Sequence, residues 1–483
     1  MKKRMTSLVL ALLMVLTLLP TAAWAEDAVT IVDSGTCGKD GDNLTWTFDS
    51  NYVLTISGKG EMADYEMWGT SEAPWKQYEN VWVTTSSGRE NHSVQEVYIG
   101  DGVTYVGDYA FYMMTYVEKV RLPETLTAVG RRSFYASAVT ELPRGLVSMG
   151  EGAFSGCDFT ELTIPQGITE IPNNAFGDCS QLKTVTLHNN ITSLGYGVFD
   201  YCRALETIEI PESVKTIGQR AFYMCENLKE LTIPDSVTYV GFEALHCCGL
   251  TKVSIGKNAR IEEVSEESIF HYGYFSGGSL VTIEVDPENP YYTVQDNVLF
   301  SKDMTELLSF SNGRSGAYKI PATVKTVRPW AFFGCPALTS VVVPDGVETL
   351  GEQEFRSCDA LETVYLPNSL TSIASGCFYE CYALTDIYYS GTYEEWKAIY
   401  NPMIFDDECR PDIHFEYELP LDPGNVNGKG GIDATDVQCL MDYLLGMGEL
   451  TENQLKAADF NQDGVVDVYD VQALYLYLTQ QGS

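Results

Sequence analysis

Between residues 94 and 378 the apolar side chains return in blocks instead of forming one long pattern. Phenylalanine marks the blocks at Phe111, Phe134, Phe154, Phe176, Phe199 and Phe222, with Leu245 once in its place, then Phe270, and after a gap Phe332, Phe355 and Phe378. The steps run from 20 to 25 residues, apart from one of 62. One block, read from Leu205, is LETIEIPESVKTIGQRAFYMCENL. Leu205, Ile208 and Ile210 turn inward along a short strand, and Pro211, which has no N–H to donate, ends it. Val214 and Ile217 begin the return before the Ala221-Phe222 turn. One such coil has no second layer to cover its apolar face, but stacked coils join their faces into one core. The pattern predicts a mainly β solenoid of parallel strands stacked in coils.

The block resembles the repeat of BspA-like bacterial leucine-rich repeat proteins, whose unit reads approximately LxxIxIPxSVxxIGxxAFxxCxx, over about Val94 to Phe378. The resemblance implies an N-terminal β cap over 26–93, carried by Gly35-Thr36-Cys37-Gly38, Leu44-Thr45-Trp46-Thr47 and Leu54-Thr55-Ile56-Ser57-Gly58. It implies a leucine-rich repeat solenoid over 94–415, with a β insert at about 281–320 around Val285-Asp286 to Tyr291 and Asn297-Val298-Leu299-Phe300. A closing cap is implied at about 384–415, around Ser390-Gly391-Thr392 and Trp396-Lys397. Caps cover the core and the unpaired strand edge that an open solenoid end exposes. Eight of the 13 cysteines stand three residues after the repeat's Phe or Leu: Cys157, Cys179, Cys202, Cys225, Cys248, Cys335, Cys358 and Cys381. That regularity favours a ladder of small buried thiols over disulfides, although the spacing alone leaves pairing open.

A second pattern begins after a proline-flanked linker over 416–423. Asp459, Asn461, Asp463, Asp467 and Asp470 place oxygens at positions 1, 3, 5, 9 and 12 of a loop with Gly464 at position 6. The Val465 carbonyl fills position 7, and a hard cation such as calcium takes about six to eight oxygens from this spacing. Val471, Leu474, Tyr475 and Leu478 then follow helical spacing. The same frame occurs earlier as Asn425, Asn427, Gly431, Asp433 and Asp436, with Lys429 at position 5 and Leu440, Tyr443 and Leu444 behind it. The paired loop-helix units over 424–483 resemble a type I dockerin, a small all-α calcium-binding domain that docks exported proteins onto cohesin domains of a scaffoldin. The resemblance assigns cohesin contact to positions 10 and 11, here Ala434-Thr435 and Val468-Tyr469. Because these pairs are unlike, one dominant docking orientation is expected. The second loop carries four aspartates, whereas the first has two and a lysine, so a tight second calcium site and a weak or empty first one are expected.

Composition narrows the function. Lys and Arg number 30 against 67 Asp and Glu, a formal charge of −37, which repels nucleic acid and anionic lipid. The opening Lys2-Lys3-Arg4, the apolar run Leu8 to Leu19 and Ala23-Trp24-Ala25 read as a signal peptide over 1–25, so the mature chain is expected outside the cell, without a membrane span. The five histidines are scattered and suggest no zinc site. No GxSxG, HExxH, GxxxxGK[ST] or GxGxxG motif in its proper context occurs, and the repeats leave no room for a catalytic domain. A non-catalytic recognition or adhesion protein, held to a cellulosome-like scaffold at the cell surface, is the expectation. A dockerin-borne polysaccharide-active enzyme and a structural spacer are the alternatives. The solenoid's outward column contains Tyr98, Arg121, Thr163, Thr186, Glu209, Thr232, Ser254, Glu284, Val342, Tyr365 and Tyr388. Tyr365 and Tyr388 fall on adjacent coils, as an expected ligand face for a glycan or protein.

Overall fold

The computed structural model describes residues 29–86, 88–246, 248–261, 280–417, 421, 423–428 and 432–481. The export segment 1–25, the repeat's Phe270, and Lys429 and Gly431 of the first loop lie outside the described residues.

The chain enters through an antiparallel sheet. Ile31–Gly38 pairs with Gly41–Asp49, which pairs with Val53–Gly58. Leu44, Trp46 and Phe48 alternate inward from this sheet, as the period of two requires. Val53–Gly58 then takes Glu96–Ile99 in parallel, and Glu96–Ile99 takes Lys119–Arg121, so the cap hands its edge directly to the first coils.

Most coils contribute one short strand to each of two parallel faces, whereas the coil after Phe134 contributes Ser148–Met149 to the second face alone. On the first face Thr163 lies opposite Thr186, Thr232 opposite Ser254 and Ser254 opposite Glu284. On the second face Leu194 lies opposite Ile217, and Ile217 opposite Val240. The repeat's phenylalanines stack between the faces. Phe111, Phe134, Phe154, Phe176, Phe199 and Phe222 follow one another at centroid spacings of 5.2, 5.7, 5.9, 6.0 and 5.8 Å. Trp75 of the cap extends this stack at 5.4 Å from Phe111. At the far end Phe332, Phe355 and Phe378 continue at 4.9 and 5.3 Å, and Phe405 closes it at 5.7 Å. Removing one of the fully buried rings, such as Phe199 or Phe355, costs about 3–5 kcal/mol in transfer and cavity terms.

The cysteines form a second ladder beside the first. Cys179 Sγ donates to the Phe154 carbonyl at 3.3 Å, Cys202 to Phe176 at 3.2 Å and Cys225 to Phe199 at 3.3 Å. Cys358 and Cys381 repeat the bond to Phe332 and Phe355 at 3.1 and 2.9 Å. Every described cysteine is a free thiol. Burial pushes the Cys157 thiol up to about 12.

Between the two stretches of coils, Tyr292–Gln295, Val298–Ser301 and Glu306–Phe310 pair antiparallel, and Glu306–Phe310 returns to the parallel ladder against Thr326–Val327. Buried Asn289 holds the entry to this insert, its amide donating to the Gly256 and Ala259 carbonyls at 2.8 and 3.1 Å. Helix α1 (Tyr393–Ile399) follows the last coil, started by a capping box between Thr392 and Glu395 and buried through Trp396.

Three further helices, α2 (Ala434–Leu444), α3 (Glu452–Ala458) and α4 (Val468–Gln481), enclose a small core of Val426, Leu440, Ala458 and Leu474. Gly424 closes this module with a φ of +89°, and its N–H donates to the Ala457 carbonyl at 2.7 Å. A Cβ there would stand 2.8 Å from the Leu474 side chain. Among the described residues no helix is long and apolar enough to cross a membrane.

Candidate metal centre and docking face

The loop from Asp459 to Asp470 is folded by its own carboxylates. Asp459 accepts from the Asp463 and Gly464 N–H groups, each at 3.0 Å. Asn461 Oδ1 accepts from Asp463 N–H at 2.9 Å, and Asp463 accepts from Val465 N–H at 2.9 Å. Asp470 is fully buried and bridges the loop, one oxygen accepting from Asn461 N–H at 3.0 Å and the other from Asp467 N–H at 2.9 Å. Gly464, at a φ of +86°, makes the turn that bends the chain back. The donor set is hard oxygen throughout, which fits calcium in type and order. Among the described residues no three carboxylates yet converge on one point, because each is turned onto backbone N–H groups. The residues that would hold the ion are Asp459, Asn461, Asp463, Asp467, Asp470 and the Val465 carbonyl.

The first loop repeats part of this geometry. Asp436, also fully buried, accepts from Asn427 N–H at 2.9 Å and from Asp433 N–H at 2.8 Å. Asp433 accepts from the Thr435 N–H at 2.6 Å and its hydroxyl at 2.5 Å, bonds that hold its carboxyl below the usual carboxylate range, the hydroxyl first. Asn425, in the place of Asp459, is buried. Only two carboxylates line this loop, Asp433 and Asp436.

Positions 10 and 11 open helices α2 and α4 next to the loops. Val468 and Tyr469 are 65% and 64% exposed, and Ala434 and Thr435 are exposed as well. A packing role inside the module, the bland reading of an apolar pair, does not describe Val468 and Tyr469. Tyr475 and Leu476 add exposed apolar surface to α4.

On the solenoid, Tyr365 and Tyr388 stack face to face at 5.1 Å and 15° on adjacent strands in register. His414 stacks on Tyr388 at 4.4 Å and meets Asp386 at 2.7 Å. That contact, with a second bond from Thr385, lowers the Asp386 carboxyl below its ordinary range. Tyr417, the first aromatic of the linker, lies against both tyrosines at 5.4 and 4.7 Å, and its N–H reaches the Tyr389 carbonyl at 3.3 Å. The two tyrosines therefore belong to a four-ring cluster that the linker partly covers. His414 and Tyr417 were not among the expected site residues. Their signal in the chain is an aromatic residue standing where the outward column continues past the last repeat.

The family model for the BspA type leucine rich repeat region matches in six copies over residues 89–144, 147–273 and 308–401, more than half of the chain. The chain belongs to the BspA-type leucine-rich repeat family. This BspA-type protein also carries a dockerin type I domain, matched over residues 423–479. It is similar to a solved leucine-rich repeat protein from Bacteroides ovatus, with 23% identity over 77% of this chain and 98% of that one and a TM-score of 0.41. It is likewise similar to a leucine rich cell surface protein from Faecalibacterium prausnitzii, at 23% identity over 76% and 98% of the two chains and a TM-score of 0.39. No curated protein matches it. A dockerin type I domain implies calcium binding and a cohesin partner, and BspA-type repeats imply recognition or adhesion at an extracellular or cell-surface location. Both modules are non-catalytic.

Proposed function

We propose that this is an exported, non-catalytic recognition or adhesion protein, plugged through its dockerin into a cohesin of a scaffoldin in a cellulosome-like complex. The observation that carries the reading is the juxtaposition of the oxygen-lined loops with exposed Ala434-Thr435 and Val468-Tyr469 at the helix starts they feed. When bound, calcium would draw the loop carboxylates together, neutralise them and fix each loop against its helix, so that the exposed pair is presented rigidly. The tight site is the second loop, with Asp459, Asn461, Asp463, Val465, Asp467 and Asp470. The first, with Asn425, Asn427, Gly431, Asp433 and Asp436, is weak or empty. The solenoid then serves as the displayed part, and its ligand face is the column around Tyr365 and Tyr388, for a glycan or a protein.

The reading is tested by co-sedimenting the full chain with cohesin-bearing scaffold protein in calcium and in chelator. Calcium-dependent co-sedimentation supports it, and equal recovery in both conditions contradicts it. Release of reducing sugar from a polysaccharide panel by the full chain would overturn the non-catalytic part.

A further inference from the structure

Four strands end the first face of the solenoid, Leu338–Val342, Thr363–Leu366, Asp386–Tyr389 and Asp412–His414. Their register lines up two outward columns, Ser340, Thr363, Asp386 and Asp412 in one and Val342, Tyr365, Tyr388 and His414 in the other. Val341, Val364 and Ile387, of opposite parity, point into the core. In the second column the rings of Tyr365, Tyr388 and His414 stack at 5.1 and 4.4 Å. Tyr388 is therefore faced on both sides. Tyr365 is faced on one side only, because the residue in register before it is Val342, whose short aliphatic side chain interrupts the stack.

The interruption leaves a slot one ring position long, since neighbouring strands lie about 4.7–4.9 Å apart, close to the interval at which the rings themselves stack. Val342 is its floor, the open face of Tyr365 is one wall, and Lys319, in register with Val342 from the coil before, stands on the far side. Ser340 and Thr363 flank the slot in the neighbouring column, and among the described residues neither hydroxyl has a hydrogen-bond partner. Tyr417 lies against Tyr365 and Tyr388 at 5.4 and 4.7 Å. It is fixed by its own N–H to the Tyr389 carbonyl and by Glu416 N–H to the Gly391 carbonyl, at 3.3 and 2.9 Å. The linker ring thus sits between Tyr365 and Tyr388, away from the Val342 side.

We infer that the slot takes a sugar ring of a neutral glycan, which stacks on the open face of Tyr365 where the column lacks a ring and hydrogen-bonds the Ser340 and Thr363 hydroxyls. The assignment rests on that column being the ligand face, and it selects a glycan over a protein as the occupant. A pyranose offers an apolar C–H face to an aromatic ring and hydroxyls around its rim, and an aromatic wall, an aliphatic floor and unpartnered hydroxyls answer both. Charge sets the class of sugar. Asp386 and Asp412 stand two residues before Tyr388 and His414, and Glu416 two residues after His414, on a chain of formal charge −37, so a uronic-acid polymer is repelled. Tyr365 is then the ring that touches the sugar, whereas Tyr388, His414 and Tyr417 are positioning residues that hold it in place.

The test is affinity electrophoresis of the full chain through soluble xyloglucan, mixed-linkage β-glucan, galactomannan and arabinoxylan, with homogalacturonan as the acidic counterpart. Wild type is compared with Val342→Phe, Tyr365→Ala and Tyr365→Phe. Val342→Phe sets a ring into the slot in register with Tyr365, and aromatic neighbours across strands stabilise a sheet, so it blocks the site without unfolding the coil. The expected result is retardation of wild type by at least one neutral polysaccharide and not by homogalacturonan. Binding to V342F and Y365A is expected to be weaker by roughly tenfold or more, and binding to Y365F to stay within about threefold. Binding lost in Y365A but kept in V342F overturns the slot and leaves the ligand face standing, whereas binding unchanged in both overturns both. No retardation by any neutral polysaccharide, or retardation by homogalacturonan alone, overturns the glycan assignment. Thermal unfolding of V342F at or above the wild-type midpoint verifies that the variant is folded.

Discussion

Asp436 and Asp470 make the same pair of bonds at the ends of the two loops. Each buried carboxylate accepts one N–H from loop position 3 and one from position 9, at 2.9 and 2.8 Å for Asp436 and at 3.0 and 2.9 Å for Asp470. The two halves of the module thus share a scaffold and differ in the oxygens presented to the ion. Calorimetric titration of the chelated full chain with calcium is expected to show one tight site, abolished by Asp463→Ala, and a second at least tenfold weaker or undetectable. Two sites of equal affinity would refute the asymmetry.

The unlike pairs at the helix starts predict one docking orientation. Tyr469→Ala is expected to weaken cohesin binding by about 2 kcal/mol or more, as loss of a central aromatic contact does. Thr435→Ala is expected to change it by less than about 0.5 kcal/mol. Equal effects from the two substitutions, measured by surface plasmon resonance at saturating calcium, would indicate two interchangeable orientations.

Glu354 stands where neighbouring coils place Ala331 or Cys377 before the stacked phenylalanine. It is fully buried, accepts from Ala331 N–H at 3.2 Å and Gly351 N–H at 3.3 Å, and burial raises its carboxyl well above the ordinary range. A carboxyl whose folded pKa is raised favours folding most below its unfolded pKa, and that contribution is lost as pH rises toward the folded value. The coils around Glu354 are therefore expected to lose stability as pH climbs above the carboxylate range. Glu354→Gln should flatten this dependence and stabilise the protein at neutral pH by about 1–3 kcal/mol, read from denaturant unfolding across pH.

The thiol ladder predicts chemical silence. Cys179, Cys202, Cys225 and Cys358 are fully buried, and burial raises each thiol. Iodoacetamide should leave them unmodified in the native protein and alkylate them on unfolding, by peptide mass spectrometry. Cys202→Ala is expected to cost about 1–2 kcal/mol, through a lost bond to the Phe176 carbonyl and a small cavity. Disulfide-linked peptides among these residues would contradict the ladder.

The solenoid was legible because its period is imposed by one packing event repeated per coil. Phe199 has to meet Phe222, and Cys225 the Phe199 carbonyl, so spacing encodes both contacts. Trp75 and Phe405 continue the same stack from the caps, but they stand outside the period and only the folded chain reveals them. Tyr417 escaped notice because a linker residue acquires its partners, Tyr365 and Tyr388, through tertiary contact alone.

The central claim is that calcium in the second loop presents a cohesin-binding face. Its most direct measurement is the affinity of the full chain for a panel of cohesins in calcium and in chelator, for wild type and Asp459→Ala. The account predicts binding to at least one cohesin in calcium, lost both on chelation and in D459A, with the solenoid's thermal transition unchanged. Binding that survives chelator or D459A, or no binding to any cohesin at saturating calcium, would contradict it.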